Sequence, residues 1–308
     1  MRLVVVVPAY DEEGTVGEVV SSIPRDACDD VIVVVVDDGS SDRTFEEAEK
    51  AGADRIVRFK RNRGLAKVFK EGLDTALEMG ADIVLNIDAD GQYDSGEIPK
   101  LIKPILDGRA DIVLGSRFKG TIEYMPLQKR LGNRIATWAT NIASGYPVSD
   151  AQTGFRALTR DAVQRINIGS DYTYVQETII QAVYKDLAIV EVPVTFRKRG
   201  DDSRLIPNIY VYAKKAGSTI IRTYLQYHPL KAMLSIGGFL MFLGVLAGLR
   251  VLAHYLSYGY VGYIPTALLS TFMLLLGFQV VILGILADLI DNNRRLHEEL
   301  LYRAKKRG

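Results

Sequence analysis

The sequence predicts an α/β domain on a mostly parallel sheet, followed by helices that attach it to a membrane. Three observations predict this. Short apolar runs alternate with amphipathic stretches from Leu3 to Leu114, the pattern of consecutive βαβ units. Three of those runs end in acidic loops. Two long stretches near the C-terminus, Ala232–Leu249 and Tyr263–Ala287, contain no charged residue.

The first strand is Leu3–Val7. The apolar run is too short for a signal peptide and lacks a small-residue cleavage site. Further strands are expected at Val31–Val36, Arg55–Val57, Asp82–Ile87 and Asp111–Leu114. Helices are expected at Glu12–Ser22, Arg43–Ala51, Leu65–Met79 and Gly96–Leu106. Strands buried on both faces are apolar at consecutive positions, as these are. Ser40 or Ser41 is expected to cap the second helix, with Asp42 in its first turn. Ile189–Phe196 reads as a later strand.

From Pro207 to Tyr227 apolar and aromatic residues recur at helical spacing, with Lys214, Lys215 and Arg222 on other faces. That pattern fits a helix lying in the membrane interface. Each charge-free stretch that follows can cross ~30 Å of hydrocarbon at about 1.5 Å per residue. The loop between them, His254–Gly262, has no Lys or Arg, whereas Arg294, Arg295, Arg303, Lys305, Lys306 and Arg307 follow the second. The positive-inside rule puts that tail, and two crossings earlier the N-terminal domain, in the cytoplasm. The expected organisation is a catalytic domain over 1–205, an amphipathic interfacial helix over 206–230, a transmembrane hairpin over 231–290 and a basic cytoplasmic tail over 291–308. The protein is thus expected in the cell membrane as a multi-pass protein with the bilayer as a partner.

With 308 residues, 48% hydrophobic and 24% charged, the chain is long enough for one large domain and something extra. A net charge of +1 makes no case for nucleic acid. The single Cys28 excludes an internal disulfide, and three His without metal-ligand spacing argue against zinc.

The chemistry centres on the stretch Val84 to Tyr93. A buried strand runs into Asp88-Ala89-Asp90 and then Gly91. In open α/β sheets ligands bind off the carboxyl ends of strands. Carboxylates at i and i+2 on an extended turn point the same way and can share a hard divalent cation, which also binds phosphates. Surface turns also use Asp and Gly, so the other loops matter. The first strand opens into Pro8-Ala9-Tyr10-Asp11-Glu12-Glu13 and the second into Asp37-Asp38-Gly39-Ser40-Ser41-Asp42. Parallel strands bring all three loops to one edge, where clustered carboxylates are costly unless a cation or donors compensate. The helix-start reading covers Glu12, Glu13 and Asp42 but not Asp37, Asp38, Asp88 and Asp90. No GxGxxG follows the first strand and no GxxxxGK[ST] occurs. A metal held on carboxylates therefore remains the way for this edge to hold a diphosphate.

These loops resemble the signature of family 2 glycosyltransferases with the GT-A fold. The likeness continues through Gly115-Ser116-Arg117-Phe118, Asp150-Ala151-Gln152-Thr153-Gly154-Phe155-Arg156 and Arg197 to Arg204. The combination is similar to the polyprenyl-phosphate glycosyltransferases, which include the dolichyl-phosphate mannose and glucose synthases. The resemblance implies an inverting, metal-dependent transfer of one sugar from a nucleotide diphosphate sugar to dolichyl or another polyprenyl phosphate. It implies Mg²⁺ or Mn²⁺ as cofactor. UDP-glucose or UDP-GlcNAc is favoured slightly over GDP-mannose.

By the same resemblance Pro8, Tyr10, Glu12, Val36 and Asp38 hold the nucleoside. Asp88, Ala89 and Asp90 hold the donor, with Asp88, Asp90 and Gln92 around the metal and Asp90 most direct. Arg117 and Arg130 hold the acceptor phosphate, and Arg199 reaches the donor diphosphate. Here the chain departs from the commoner Gly-x-Ser-Lys ending by one extra residue, Gly200-Asp201-Asp202-Ser203-Arg204. Asp150 is catalytic as a base, or orients Arg156 or the acceptor. A lipid phosphate, with a second pKa near ~6, needs little deprotonation, whereas a hydroxyl acceptor needs a base. Lys119 and Lys129 read as a solvated basic face, and Gln176-Glu177 as helical and near the acceptor.

A transferase that extends a lipid-linked saccharide is the nearest alternative. A processive polysaccharide synthase should show Gln-x-x-Arg-Trp, but the one Trp is Trp138. A membrane-anchored scaffold without catalysis would be indifferent to Asp90→Ala. A homo-oligomer is left open.

Overall fold

The computed structural model describes residues 1–169, 174–198, 217–218, 221, 224–225 and 229–307. Arg199 and most of the expected interfacial helix over 206–230 lie outside the described residues. The chain divides into two compact units, Met1–Ile221 and Arg222–Gly308.

In the first unit seven strands form one sheet in the order β3-β2-β1-β4-β6-β5-β7. These are β1 Arg2–Ala9, β2 Asp30–Asp37, β3 Arg55–Arg58, β4 Ile83–Asn86, β5 Ile112–Ser116, β6 Arg156–Thr159 and β7 Ile189–Pro193. The first five match the expected runs to within a few residues. All pairings are parallel except those of β6, which runs antiparallel between β4 and β5. The helices are α1 Val16–Ser22, α2 Thr44–Lys50, α3 Leu65–Glu78, α4 Ile98–Leu106, α5 Leu127–Ser144, α6 Arg160–Arg165 and α7 Val175–Tyr184.

Strand β1 shows why the strands are apolar at every position. Leu3, Val5 and Val7 pack with α1 and α4 on one face, and Val4 and Val6 pack with α3 on the other. Each face of the sheet has its own core, so neither set of side chains meets water. Gly72 of α3 lies so close to β1 that a Cβ there would sit 2.3 Å from Val6 Cγ1.

The expected cap of α2 is not made by either serine. The N-cap residue is Arg43, with no side-chain cap. Asp42 accepts from the Thr44 N–H at 3.0 Å and from its hydroxyl at 2.5 Å, just before the helix. The serines are drawn away by the neighbouring loop. Ser40 Oγ accepts the Asp11 N–H and Ser41 donates to the Asp11 carboxylate.

The second unit is a helical hairpin, α8 Pro229–Tyr258 and α9 Ile264–Arg307. Pro229–Tyr258 and Ile264–Asp291 have mean hydropathies of 2.1 and 2.4 and are long enough to span a bilayer. Small residues let the two backbones approach. A Cβ on Gly237 would lie 2.7 Å from the Gly277 carbonyl, and Ser270 Oγ donates to the Gly244 carbonyl at 2.7 Å. Such contacts join apolar helices where hydrophobic burial offers no advantage over lipid. The segment after 291, expected as a tail, continues α9 as helix.

Candidate active site

Register places the acidic loops side by side. Ala9 pairs with Asp37 and Val6 with Asn86, so β1, β2 and β4 end at neighbouring points of one edge. Asp38 N–H donates to the Ala9 carbonyl at 2.9 Å, and Ile87 N–H to the Val6 carbonyl at 3.0 Å.

The first two loops are laced to each other. Glu13 N–H donates to Asp42, Arg43 N–H donates to Glu13, and Glu12 N–H donates to the Thr44 hydroxyl. Asp37 is buried and pairs with Arg58 at 3.1 Å. These residues therefore hold the loop framework. Gly39, at φ +75°, is required here, because a Cβ would lie 2.6 Å from the Arg61 backbone. Asp38 accepts the backbone N–H groups of Arg63 at 2.6 Å and Gly64 at 3.0 Å, tying the entry of α3 to this edge. Burial raises its pKa above the ordinary carboxylate value in spite of those donors. Pro8 and Val36 are buried within paired strands, Tyr10 is exposed and Glu12 is half-buried.

Asp88 and Asp90 follow β4, and Gly91 takes φ +68° to turn the chain. Gln92 is buried; its N–H donates to Asp90 and its side-chain amide to the Arg197 carbonyl. Burial, and then the neighbouring Asp90, push the Asp88 carboxyl up to about 7, against relief from Arg117, Arg156 and Lys129. The carboxylate of Asp88 lies against Gly154, where a Cβ would sit 2.4 Å from Oδ2. Among the described residues no group of three or more His, Cys, Asp or Glu is placed to hold a metal. Two hard oxygen donors whose charges repel still suit a divalent cation that keeps positions for waters and substrate oxygens.

A raised carboxyl pKa has a definite sign for stability. Between the ordinary value of 3.8 and about 7 the native state holds the Asp88 proton more tightly than the unfolded chain does. Stability from this group is present at low pH and is lost as pH rises through about 7, by roughly 1.4 kcal/mol per pH unit within the window. In chelator, the melting temperature of the purified protein is expected to fall between pH 5 and pH 7 more steeply than that of Asp88→Asn. Parallel slopes in thermal melts would contradict this. Gly154→Ala is expected to displace the Asp88 carboxylate and to weaken Mn²⁺ binding by about tenfold or more, a loss of ~1.4 kcal/mol, read by calorimetry.

The opposite wall of the site is cationic. Arg117, next after β5, is 4% exposed, and Asp150 is fully buried. Arg117 Nε and Nη2 donate to the two carboxylate oxygens of Asp150 at 2.7 and 2.8 Å, and its N–H donates to Asp150 at 3.1 Å. The Phe196 ring is a shared platform. Arg117 lies 5.1 Å and Lys129 5.8 Å from its centroid, and Tyr93 meets it edge-on. Arg130 is exposed on α5. Lys119 is exposed, as expected of a solvated basic face, and pairs with half-buried Glu191 at 2.7 Å.

Arg156 is not oriented by Asp150. It is fully buried on β6 and donates to the Thr153 and Val175 carbonyls and the Thr178 hydroxyl, beside the Tyr174 ring. It thereby clamps the 153–156 turn that presents Gly154 to Asp88. Gln176 lies in α7 and donates to Gln152 at 3.0 Å. Tyr93 and Gly154 lie in stretches that the sequence singles out, but their contacts with Phe196 and Asp88 come from distant segments meeting.

A mostly parallel sheet with carboxylates and a cationic wall at one edge, joined to two apolar helices, defines a GT-A-type transferase domain with a membrane-compatible hairpin. The sequence matches the Glycosyl transferase family 2 profile over residues 4–166. The chain belongs to the family 2 glycosyltransferases and is a glycosyltransferase.

It is 33% identical over 210 residues to UDP-N-acetylglucosamine–dolichyl-phosphate N-acetylglucosaminyltransferase of Methanococcus voltae, covering 61% of this chain and 83% of that one. It is 29% identical over 313 residues to glycosyltransferase AglJ of Haloferax volcanii, covering 98% and 97%. Among solved structures, glucosyl-3-phosphoglycerate synthase of Mycobacterium tuberculosis with Mg²⁺ and UDP shares the fold. Its TM-score is 0.56 at 22% identity, over 73% of this chain and 79% of that one.

Proposed function

We propose that the protein transfers a single sugar, with inversion, from a nucleotide diphosphate sugar to dolichyl or another polyprenyl phosphate. The observation that carries this is the Arg117–Asp150 pair. Both oxygens of Asp150 accept from a guanidinium in a buried setting. With both oxygens turned to the guanidinium and the residue fully buried, neither oxygen is presented to an acceptor. The site therefore suits an acceptor that arrives ionised, as a phosphate monoester largely does at neutral pH. A hydroxyl acceptor would need a base that the pair withholds. Relatives named as dolichyl-phosphate and polyprenol-phosphate transferases support the same reading.

In this reading Asp88, Asp90 and Gln92 hold Mg²⁺ or Mn²⁺, which offsets charge on the departing nucleoside diphosphate. Asp38, Tyr10 and Glu12 border the nucleoside, above buried Pro8 and Val36. Arg199 serves the donor diphosphate. Arg117, fixed in orientation by Asp150, and Arg130 face the acceptor phosphate, and Lys129 adds positive field. Asp150 acts as a positioning residue. The domain and tail face the cytoplasm, where nucleotide sugars are found, and the hairpin holds the domain where its lipid acceptor resides.

The test is transfer of labelled sugar into organic-extractable lipid by detergent-purified protein. Donors are UDP-glucose, UDP-GlcNAc and GDP-mannose, each with Mn²⁺ and with chelator. Metal-dependent labelling of polyprenyl phosphate from one donor is expected. Labelling confined to a lipid-linked saccharide would overturn the acceptor assignment.

A further inference from the structure

Glu191 stands out from the strand that carries it. Strand β7 reads Ile-Val-Glu-Val-Pro from Ile189 to Pro193, and Ile189, Val190 and Val192 pack in or against the two cores. A carboxylate on such a strand is costly unless donors compensate it. The residue is half-buried at the sheet edge, and its side chain is only 8% exposed.

The donors come from the two segments that carry the Arg117–Asp150 pair. Glu191 Oε1 accepts the Ser149 N–H at 2.7 Å, the Ser149 hydroxyl at 2.8 Å and the Asp150 N–H at 3.2 Å. Glu191 Oε2 pairs with Lys119 Nζ at 2.7 Å. A carboxylate only accepts, which fixes the direction of the neighbouring bonds. The Ser149 hydroxyl is spent on Glu191, so the Ser116 hydroxyl donates to Ser149 Oγ at 2.6 Å, and the Lys119 N–H donates to Ser116 Oγ at 3.1 Å. The residue before Arg117, the residue two beyond it, the residue before Asp150 and Asp150 itself are thus tied to one side chain.

We propose that Glu191 is a positioning residue for the acceptor side of the site. It fixes where the Arg117–Asp150 pair stands as a unit, and hence where Arg117 can meet an acceptor phosphate. The pair is closed on itself, since Asp150 accepts from both the guanidinium and the N–H of Arg117. Those bonds hold the partners together but do not place them relative to Asp88 and Asp90. Strand β7 does so: Glu191 lies in register opposite Leu114 of β5, the strand that leads into Arg117. The inference rests on the reading of Arg117 as a ligand of the acceptor phosphate. A misplacement of about 1 Å at such a site costs up to ~10²-fold.

Two conservative variants separate reach from charge. Glu191→Gln keeps an oxygen for the Ser149 and Asp150 donors and loses only the ion pair to exposed Lys119. Glu191→Asp keeps the charge but ends one methylene short of the turn. The full chain in detergent is titrated in a calorimeter with geranylgeranyl monophosphate and, separately, with Mn²⁺. Glu191→Asp is expected to bind the lipid phosphate about 10- to 100-fold more weakly than the wild type. Glu191→Gln is expected to stay within about fivefold of it. Both should bind Mn²⁺ as the wild type does. Wild-type lipid binding by Glu191→Asp overturns the inference, and so does an equal loss in both variants, which would make charge rather than placement the cause. A parallel loss of Mn²⁺ binding also overturns it, because the effect is then general to the fold. Arg117→Lys tests the reading beneath. If it binds the lipid phosphate as the wild type does, the acceptor role of Arg117 falls and this inference with it. If Arg117→Lys is weakened and Glu191→Asp is not, this inference alone falls.

Discussion

Asp90→Ala is expected to abolish sugar transfer, with a loss on the order of 10³-fold or more in kcat/KM. Asp90 follows a strand that ends at the site edge, and its side chain orders the turn by accepting the Gln92 N–H. Burial raises the Asp88 pKa first, and the charge of Asp90 adds to it. In the proposed reading, removing Asp90 takes away one of the two carboxylates that hold a divalent cation. A cation that stabilises a leaving diphosphate contributes several kcal/mol, and each ~1.4 kcal/mol is tenfold in rate. The variant should still fold, because loss of one carboxylate lessens repulsion on Asp88. Its Mn²⁺ affinity, measured without substrate, should drop in parallel. Wild-type transfer by a folded Asp90→Ala protein would contradict the site assignment and favour a scaffold.

Arg117→Met is expected to destabilise the protein by about 3–5 kcal/mol, because it strands the buried carboxylate of Asp150 without its partner. Asp150→Asn should likewise be costly, as it leaves a guanidinium in an apolar setting against Phe196. The double variant Arg117→Met/Asp150→Asn should recover much of the stability of the singles, since breaking a buried pair costs more than replacing it. Denaturant unfolding of the four proteins gives this cycle. Transfer by the double variant should stay low, which separates the stabilising role of the pair from the proposed role of Arg117 on the acceptor phosphate. Additive effects would mean the two groups are not coupled. Strong rescue of activity by small exogenous bases in Asp150→Ala would restore Asp150 as catalytic base.

The alternation of strands and helices was legible because burial on both faces of a parallel sheet leaves continuous apolar runs such as Val31–Val36. The acidic loops were legible as a set because parallel strands bring their ends to one edge. The cap of α2 differs from the local expectation, the N-cap residue being Arg43. Ser40 and Ser41 are good caps locally, yet both are engaged by Asp11 across the gap between loops. Strand β6, which opens on buried Arg156, leaves no strand signal because its apolar residues, Ala157 and Leu158, lack the β-branching that marks Ile56 and Val57 in the equally short β3. Only carbonyls from a separate helix and turn make that arginine tolerable in a core.

The sequence by itself determined the α/β class, the family 2 glycosyltransferase motifs, the carboxylate pair after the fourth strand and the two apolar stretches long enough to span a bilayer. All of these are local or periodic properties, written in residues close to one another along the chain. Tertiary structure decided that Asp150 is locked to Arg117 and not to Arg156. It decided that Gly154 makes room for Asp88, and that Phe196 supports the cationic wall. It also decided that Leu131, Ile135 and Trp138 of α5 face outward, because Thr137 and Asn141 bond the 148–151 turn that carries Asp150. Burial, pairing and facing are set by which distant segments meet, and no single stretch of chain carries that information.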